Sequence, residues 1–229
     1  TDIATSYNNI ACVYESQNKY DEALEYYNKA LDIDINKLGK DHTNVADSYN
    51  NIAVVYSLQN KYDEALEYYN KSLDIYINKL GKDHTDVAGS YNNIAIVYKS
   101  QNKYDEALEY YNKSLDIRIN KLGKDHTNVA QSYNNIAIVY QAQNKYDEAL
   151  EYYNKALDIR INKLGKDHTN VANSYYNIGA LYYNQSKYKE ALECYNKSYN
   201  IWKDKLGDDH QDTKDAIRMI QGCKNQLDE

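Results

Sequence analysis

The histidines of this chain fall at 42, 84, 126, 168 and 210, a constant spacing of 42 residues. Leu-Gly-Lys-Asp-His ends at the first four, and Leu-Gly-Asp-Asp-His at His210. A repeat of this size constrains the fold more than any other signal. Each copy is a supersecondary unit that buries its apolar face only by stacking on the next copy. The 229 residues divide into five units (1–42, 43–84, 85–126, 127–168 and 169–210) and a tail, 211–229. Residues 85–126 and 127–168 differ at five positions only: Asp86/Asn128, Gly89/Gln131, Lys99/Gln141, Ser100/Ala142 and Ser114/Ala156. Copies this close suggest recent duplication, and they allow equivalent positions to be compared within one chain.

Each unit reads as two helices. In the second unit the first helix is expected over roughly residues 44–58, with His42 or Thr43 as its cap. Gln59-Asn60-Lys61 is a short turn, where Asn60 suits a left-handed backbone. The second helix runs over roughly residues 62–80, with Asp63, Glu64 and Glu67 near its positive end and Gly81 as its stop. At about 100° per residue, Ala46, Tyr49, Ile52, Ala53 and Tyr56 share one side of the first helix. Ala65, Leu66, Tyr69, Ser72 and Leu73 share a side of the second. The apolar stripe of each helix has helical period. The fold class is therefore all-α, a solenoid of helix-turn-helix units.

Composition narrows the rest. The chain has no Pro and no Phe but 28 Tyr, so Tyr must fill the aromatic core positions. Mean hydropathy is −0.88, and no stretch approaches the ~18 apolar residues of a membrane helix, so no membrane partner is expected. No basic-then-apolar leader stands at the N-terminus. The net charge of −7, without a basic run, argues against nucleic acid. Cys12, Cys194 and Cys223 form neither a disulfide framework nor a metal motif, which points to a reducing, cytoplasmic setting. Residue 1 already stands at the start of a first helix and is Thr rather than Met, so the chain reads as a piece of a longer protein.

The second unit's Tyr49, Ile52, Ala53, Tyr56, Ala65 and Tyr69, with Ser72, resemble the tetratricopeptide pattern W-x2-L-G-x2-Y…A-x3-F. Tyr stands for the family's Trp and Phe, and Ala53 for its Gly, which Gly179 restores in the fifth unit. The unit length, the Asn-Asn-Ile-Ala segment and the Leu-Gly-Lys-Asp-His loop look like the kinesin-light-chain subtype. The resemblance covers residues 1–210. It implies a right-handed solenoid of five tetratricopeptide units, with residues 211–229 as a C-terminal capping helix. One departure is the loop: that subtype has Pro after the His, where Thr43, Thr85, Thr127 and Thr169 stand here. In the tail, Ala216, Ile217 and Ile220 can cover the last pair, while Lys224 falls where Tyr182 stands one unit earlier.

Catalytic and metal chemistry finds little support. The histidines hold one position per unit, and helices packed ~8–10 Å apart keep them too far from one another for zinc ligation at ~2.0–2.1 Å. The cysteines read as small apolar residues. The pairs Asp63-Glu64, Asp105-Glu106 and Asp147-Glu148 recur at helix starts, which favours a dipole role over acid–base work. Asn-x-Ser sequons at Asn70, Asn112, Asn184 and Asn196 read as coincidental. No phosphate loop, nucleophile motif or dinucleotide fingerprint is present. No enzyme, cofactor or metal is expected.

The face of the first helix opposite the core carries the binding expectation. By the family resemblance it lines a concave groove for ligands. Its positions vary: Thr5, Asp47, Gly89, Gln131, Asn173; Cys12, Val54, Ile96, Ile138, Ala180; Glu15, Ser57, Lys99, Gln141, Tyr183; Ser16, Leu58, Ser100, Ala142, Asn184. Asp63, Glu64, Glu67 and Lys71 on the second helix keep the same residue in units one to four. This contrast favours ligand selection in the groove, since exposed polar positions are where binding sits. One groove position does not vary: Asn9, Asn51, Asn93, Asn135 and Asn177 form a ladder, flanked by Asn8, Asn50, Asn92 and Asn134. An amide offers donors and an acceptor to a peptide backbone. The other reading is that these amides bond to neighbouring helices and stiffen the stack. In the fifth unit Tyr176 replaces the flanking Asn, Tyr183 stands at the groove edge and Trp202 follows Asp34, Tyr76, Arg118 and Arg160, which marks an aromatic pocket or the covered end of the core. The candidate peptide-binding set is thus Asn9, Asn50, Asn51, Asn92, Asn93, Asn134, Asn135, Asn177, Ile96, Ile138, Lys99, Gln131, Gln141, Tyr176 and Tyr183.

The first unit carries a net charge of −4 and the second −2, the next three are neutral, and the tail is −1. With Lys99, Arg118 and Arg160 in the middle, the expected partner is a protein or peptide with an acidic segment over units three and four. Two rivals remain open: end-to-end self-association of the near-identical units, and a sensor role within a larger enzyme.

Overall fold

The computed structural model describes residues 2–228. The expectation that a first helix starts at residue 1 falls outside the described residues. Among them are eleven α-helices and no strand: α1 (Asp2–Ser16), α2 (Tyr20–Leu38), α3 (Thr43–Leu58), α4 (Tyr62–Leu80), α5 (Thr85–Ser100), α6 (Tyr104–Leu122), α7 (Thr127–Ala142), α8 (Tyr146–Leu164), α9 (Thr169–Asn184), α10 (Tyr188–Leu206) and α11 (Gln211–Asp228). They form five helical hairpins and a final helix, the solenoid architecture expected from the repeat.

The chain's own punctuation sets these boundaries. α3 starts at Thr43 rather than residue 44, because His42 is the cap. Its Nδ1 accepts the Asn44 N–H at 3.2 Å. His84, His126, His168 and His210 do the same for Asp86, Asn128, Asn170 and Asp212. The constant histidines therefore satisfy orphan N–H donors of the following helix. Asn18, Asn60, Asn102 and Asn144 adopt φ of 58–59°, and Ser186 takes that conformation in the fifth hairpin. The Gly after each second helix sits at φ of 86–87°, where a Cβ would be strained.

The helices fall into two compact units, one ending at Ile117 and one beginning at Arg118. In the first, Val45, Ile52 and Val55 of α3 cluster with Ala23, Tyr27 and Leu31 of α2 and with Tyr69 of α4. In the second, Tyr153 and Leu157 of α8 cluster with Val171, Ile178 and Leu181 of α9. Tyr does fill the core. Tyr27, Tyr69, Tyr111, Tyr153 and Tyr195 are at most 4% exposed, each burial contributing roughly 1.5–3 kcal/mol. Burial holds the phenols of all five above their ordinary range.

The constant surface of the second helices has a packing reason. Lys71 bridges to Glu67 at 2.6 Å and lies 4.5 Å over the Tyr68 ring, which meets Tyr49 and Tyr56. The same arrangement recurs at Lys29, Lys113 and Lys155. These exposed positions are held by their own contacts, so their constancy follows from structure. In the fifth hairpin Cys194 stands where Tyr152 stands one unit earlier, and burial raises its thiol to about 11. There Gly179 meets Tyr195 so closely that an added Cβ would lie 3.0 Å from two ring carbons.

Candidate functional site

In the second compact unit, successive first helices and the second helices between them enclose a cleft of about 380 Å³. Gln131 and Asn134 come from α7, Arg160 from α8, Asn173, Tyr176 and Asn177 from α9, Trp202 from α10, and Asp212 and Asp215 from α11. The first helices supply amides, carboxylates and the Tyr176 ring, and the second helices supply Arg160 and Trp202, which reach between them.

Two contacts shape the floor. Asn177 Nδ2 donates to Asn134 Oδ1 at 2.9 Å, tying α9 to α7. Arg160, only 7% exposed, donates to Ser174 Oγ at 2.7 Å, to the Asn170 carbonyl at 3.4 Å and to Gln131 Oε1 at 3.3 Å. Burial pulls its guanidinium pKa below the ordinary value. Arg118 uses Ser132 and the Asn128 carbonyl in the same way. Both guanidinia are thus engaged in joining consecutive helices.

Trp202 fills the next such slot. Its ring lies 5.4 Å from Tyr176, whose ring lies 5.2 Å from Tyr195. The indole packs on Ala216, the position where Ser132 and Ser174 stand in earlier hairpins, and its buried Nε1 has no hydrogen-bond partner. Trp202 therefore does both things expected of it: it covers the end of the core, and it lines the cleft. At the rim, Asp215 accepts from Gln211 at 2.9 Å and from Arg218 at 3.0 Å. Burial, and then Asp215, raise the Tyr176 phenol.

Of the candidate residues, Gln131, Asn134, Tyr176 and Asn177 meet in this cleft. The remainder lie elsewhere. Asn93 donates to Asn50 at 3.0 Å, and Asn92 approaches Asn93 at 3.5 Å. Gln131 also donates to Asn135 at 2.9 Å. Asn50–Asn93 and Asn134–Asn177 are thus bonded helix to helix, whereas the Asn92–Asn93 and Gln131–Asn135 contacts lie within one helix. Asn51 and Lys99 are half-buried, and Asn9 is exposed. Ile96 is exposed, whereas Ile138 packs on the core. Gln141 accepts the hydroxyl of buried Tyr153 at 2.8 Å, as Glu15 does for Tyr27. Tyr183 meets Tyr188 edge-on at 5.3 Å. The sequence reading left out Asp212 and Asp215. The signal for Asp215 was present, since the series Thr5, Asp47, Gly89, Gln131, Asn173 continues to 215 in the tail.

Among the described residues no group of three or more His, Cys, Asp or Glu side chains is placed to hold a metal ion, and no helix is long and apolar enough to cross a membrane.

A family model described as tetratricopeptide repeat matches residues 2–78, 62–120, 86–162, 128–204 and 170–220. No curated protein matches the chain at a significant level. Solved structures share its fold. BtubC (BKLC) from P. vanneervenii is 19% identical with a TM-score of 0.72, over 92% of this chain and 82% of that one. The nearly identical TPR-like repeats of a Podosopora anserina protein described as a kinesin light chain are 22% identical with a TM-score of 0.73, over 88% and 96%. The apo form of RapI is 18% identical with a TM-score of 0.73, over 98% and 82%. At these identities the likeness is one of fold.

Proposed function

The chain belongs to the tetratricopeptide repeat family, and on that premise we propose that it is a protein-interaction module that holds an extended peptide along its first helices. One observation carries the reading. The second compact unit presents a cleft in which amides from α7 and α9 stand beside an aromatic wall and a carboxylate rim. Amides serve a peptide backbone of any sequence, while Tyr176, Asp212 and Asp215 select its side chains. With the rim acidic and Arg160 already bonded, an acidic segment in the ligand has less to meet here than the charge of the middle units suggested.

The module acts as a scaffold or adaptor rather than an enzyme, in a cytoplasmic setting that suits its three unpaired thiols. We take its divisions as five units of 42 residues and a cap over residues 211–229, in which Lys214, Gln221 and Lys224 stand where Ala172, Gly179 and Tyr182 face their own hairpin. The test is a pull-down with the wild-type chain beside Asn134→Ala/Tyr176→Ala, read by mass spectrometry, with helicity followed by circular dichroism. A protein captured by wild type and lost from the folded variant supports the cleft. Equal capture by both refutes it.

End-to-end self-association has one observation behind it. Ile3, Ile10 and Val13 of α1 are 57%, 38% and 55% exposed, although the matching Val45, Ile52 and Val55 are fully buried. Light scattering over a concentration series decides, since a constant monomer mass removes that reading.

A further inference from the structure

The first compact unit carries a smaller cleft, about 150 Å³, lined by Ala4, Thr5, Asn8, Asp34, Asn44 and Asp47. Thr5, Asn8, Asp34 and Asp47 are the positions that Gln131, Asn134, Arg160 and Asn173 hold in the larger one. The scaffold is the same, but the chemistry is reversed.

Asp34 is only 4% exposed, and no described residue gives its carboxylate a hydrogen bond or an ion pair. A carboxylate that lines a cleft and has no protein partner is open to a donor that enters through that cleft. Asn8 also lines the cleft, and its Oδ1 lacks the partner that the matching Asn134 Oδ1 has in Asn177. The Asp47 carboxylate takes the Tyr76 hydroxyl on one oxygen. The cleft therefore gathers acceptors. In the second unit, the side chains at the Asp34 position are guanidinia that donate to Ser132 and Ser174. Asp is too short and of the wrong sign for that, and the matching Ser48 hydroxyl has no partner.

We propose that this cleft binds the cationic head of a Lys or Arg side chain of a peptide ligand, with Asp34 as counter-ion, Asp47 as a further acceptor and Asn8 at its wall. The inference rests on the peptide-binding reading but uses none of the residues of the larger cleft. A charge-assisted contact of this kind is stronger than a neutral one and shows its sign in the choice of ligand.

The test uses the whole chain, labelled with 15N, and a small probe, so it does not depend on finding the natural partner. N-acetyl-argininamide and N-acetyl-lysinamide are titrated, with N-acetyl-glutaminamide as the neutral control. The side-chain amides of Asn8 and Asn44 are expected to shift saturably with the cationic probes only, while those of Asn134 and Asn177 stay in place. Asp34→Asn, nearly isosteric, is expected to weaken binding about tenfold or more. Asp34→Arg, which installs the residue of the later hairpins, is expected to abolish binding while raising Tm. No saturable shift, an equal response to the glutamine probe, or unchanged binding by folded Asp34→Asn overturns the proposal. So does displacement of the organic cations by millimolar calcium, which would make the cleft a metal site. Loss of protein capture by the larger cleft's variant leaves this result untouched, so the two readings fail separately.

Discussion

The two clefts occupy the same positions in their compact units and have opposite character. In one, Asp34 and Asp47 face Asn8; in the other, Arg160 and Asn173 face Asn134. The core beneath them hardly changes: the Ala of Ala23, Ala65, Ala107, Ala149 and Ala191 and the Tyr of Tyr27, Tyr69, Tyr111, Tyr153 and Tyr195 recur on the second helices at near-zero exposure. The comparison teaches that this scaffold separates two tasks. Constant small and aromatic residues set the spacing of the helices. One variable position on the second helices (34 in the first unit, 160 and 202 in the second) then sets the chemistry of the two clefts.

The strongest way to break the comparison is to force one cleft's chemistry on the other. Arg160→Asp takes the donor away from the Asn170 carbonyl, Gln131 Oε1 and Ser174 and leaves a short carboxylate without a partner in the slot. We expect a loss of about 3 kcal/mol in urea denaturation, because a buried unpaired charge replaces a satisfied one. A loss below about 1 kcal/mol would show that water already reaches the slot. Packing is expected to matter less than charge here. Gly179→Ala pushes a methyl toward Tyr195, which is fully buried, and should cost about 1–2 kcal/mol. The same test at Ala53 in reverse, Ala53→Gly, should cost about 1 kcal/mol through helix propensity. The smallest change sharpens the case of Trp202. Ala216→Ser returns the hydroxyl that the earlier hairpins have, offers Nε1 an acceptor, and should gain less than about 1 kcal/mol.

What the two units share can be tested by pH. Burial favours the neutral phenol of Tyr69 in one unit and Tyr153 in the other. Their folded pKa values lie above the unfolded value of about 10, so their contribution is complete below that pH and is lost as pH rises beyond it. Tyrosinate absorbance should therefore lag the exposed tyrosines and then rise together with loss of helicity. Thiol labelling near neutral pH should modify Cys12 first, since it is exposed, whereas burial holds the Cys194 thiol up at about 11.

Much of the fold was legible because period and punctuation agree. Histidine spacing, Asn60 and Gly81 mark ends that α3 and α4 respect to within one residue. The site was only partly legible, because sequence places a residue on a face without saying how far it reaches. Arg160 looked like a cation offered to ligand, yet its length lets it turn back to Ser174. Gln141 looked like a groove residue, yet Tyr153 needs its carbonyl. The Asn ladder carried both of its readings, and the Asn50–Asn93 and Asn134–Asn177 bonds show that stiffening occupies at least one atom of each pair. Asp34 was visible only as one letter in a variable series. Its isolation depends on the absence of a donor within reach, which no periodicity encodes.

The near-identity of the hairpins also has a consequence in time. Residues 85–126 and 127–168 differ at five positions, and among these Ser114, bonded to the Ala88 carbonyl at 2.7 Å, is the buried one of its unit. A folding chain thus offers each helix several partners of nearly equal merit. Contacts between sequence neighbours form fast and favour the correct pairing. Once that kinetic advantage is lost, as in refolding at high concentration, a hairpin from another molecule docks with almost the same energy. Slow, concentration-dependent exchange of whole hairpins is the expected signature of a chain this repetitive.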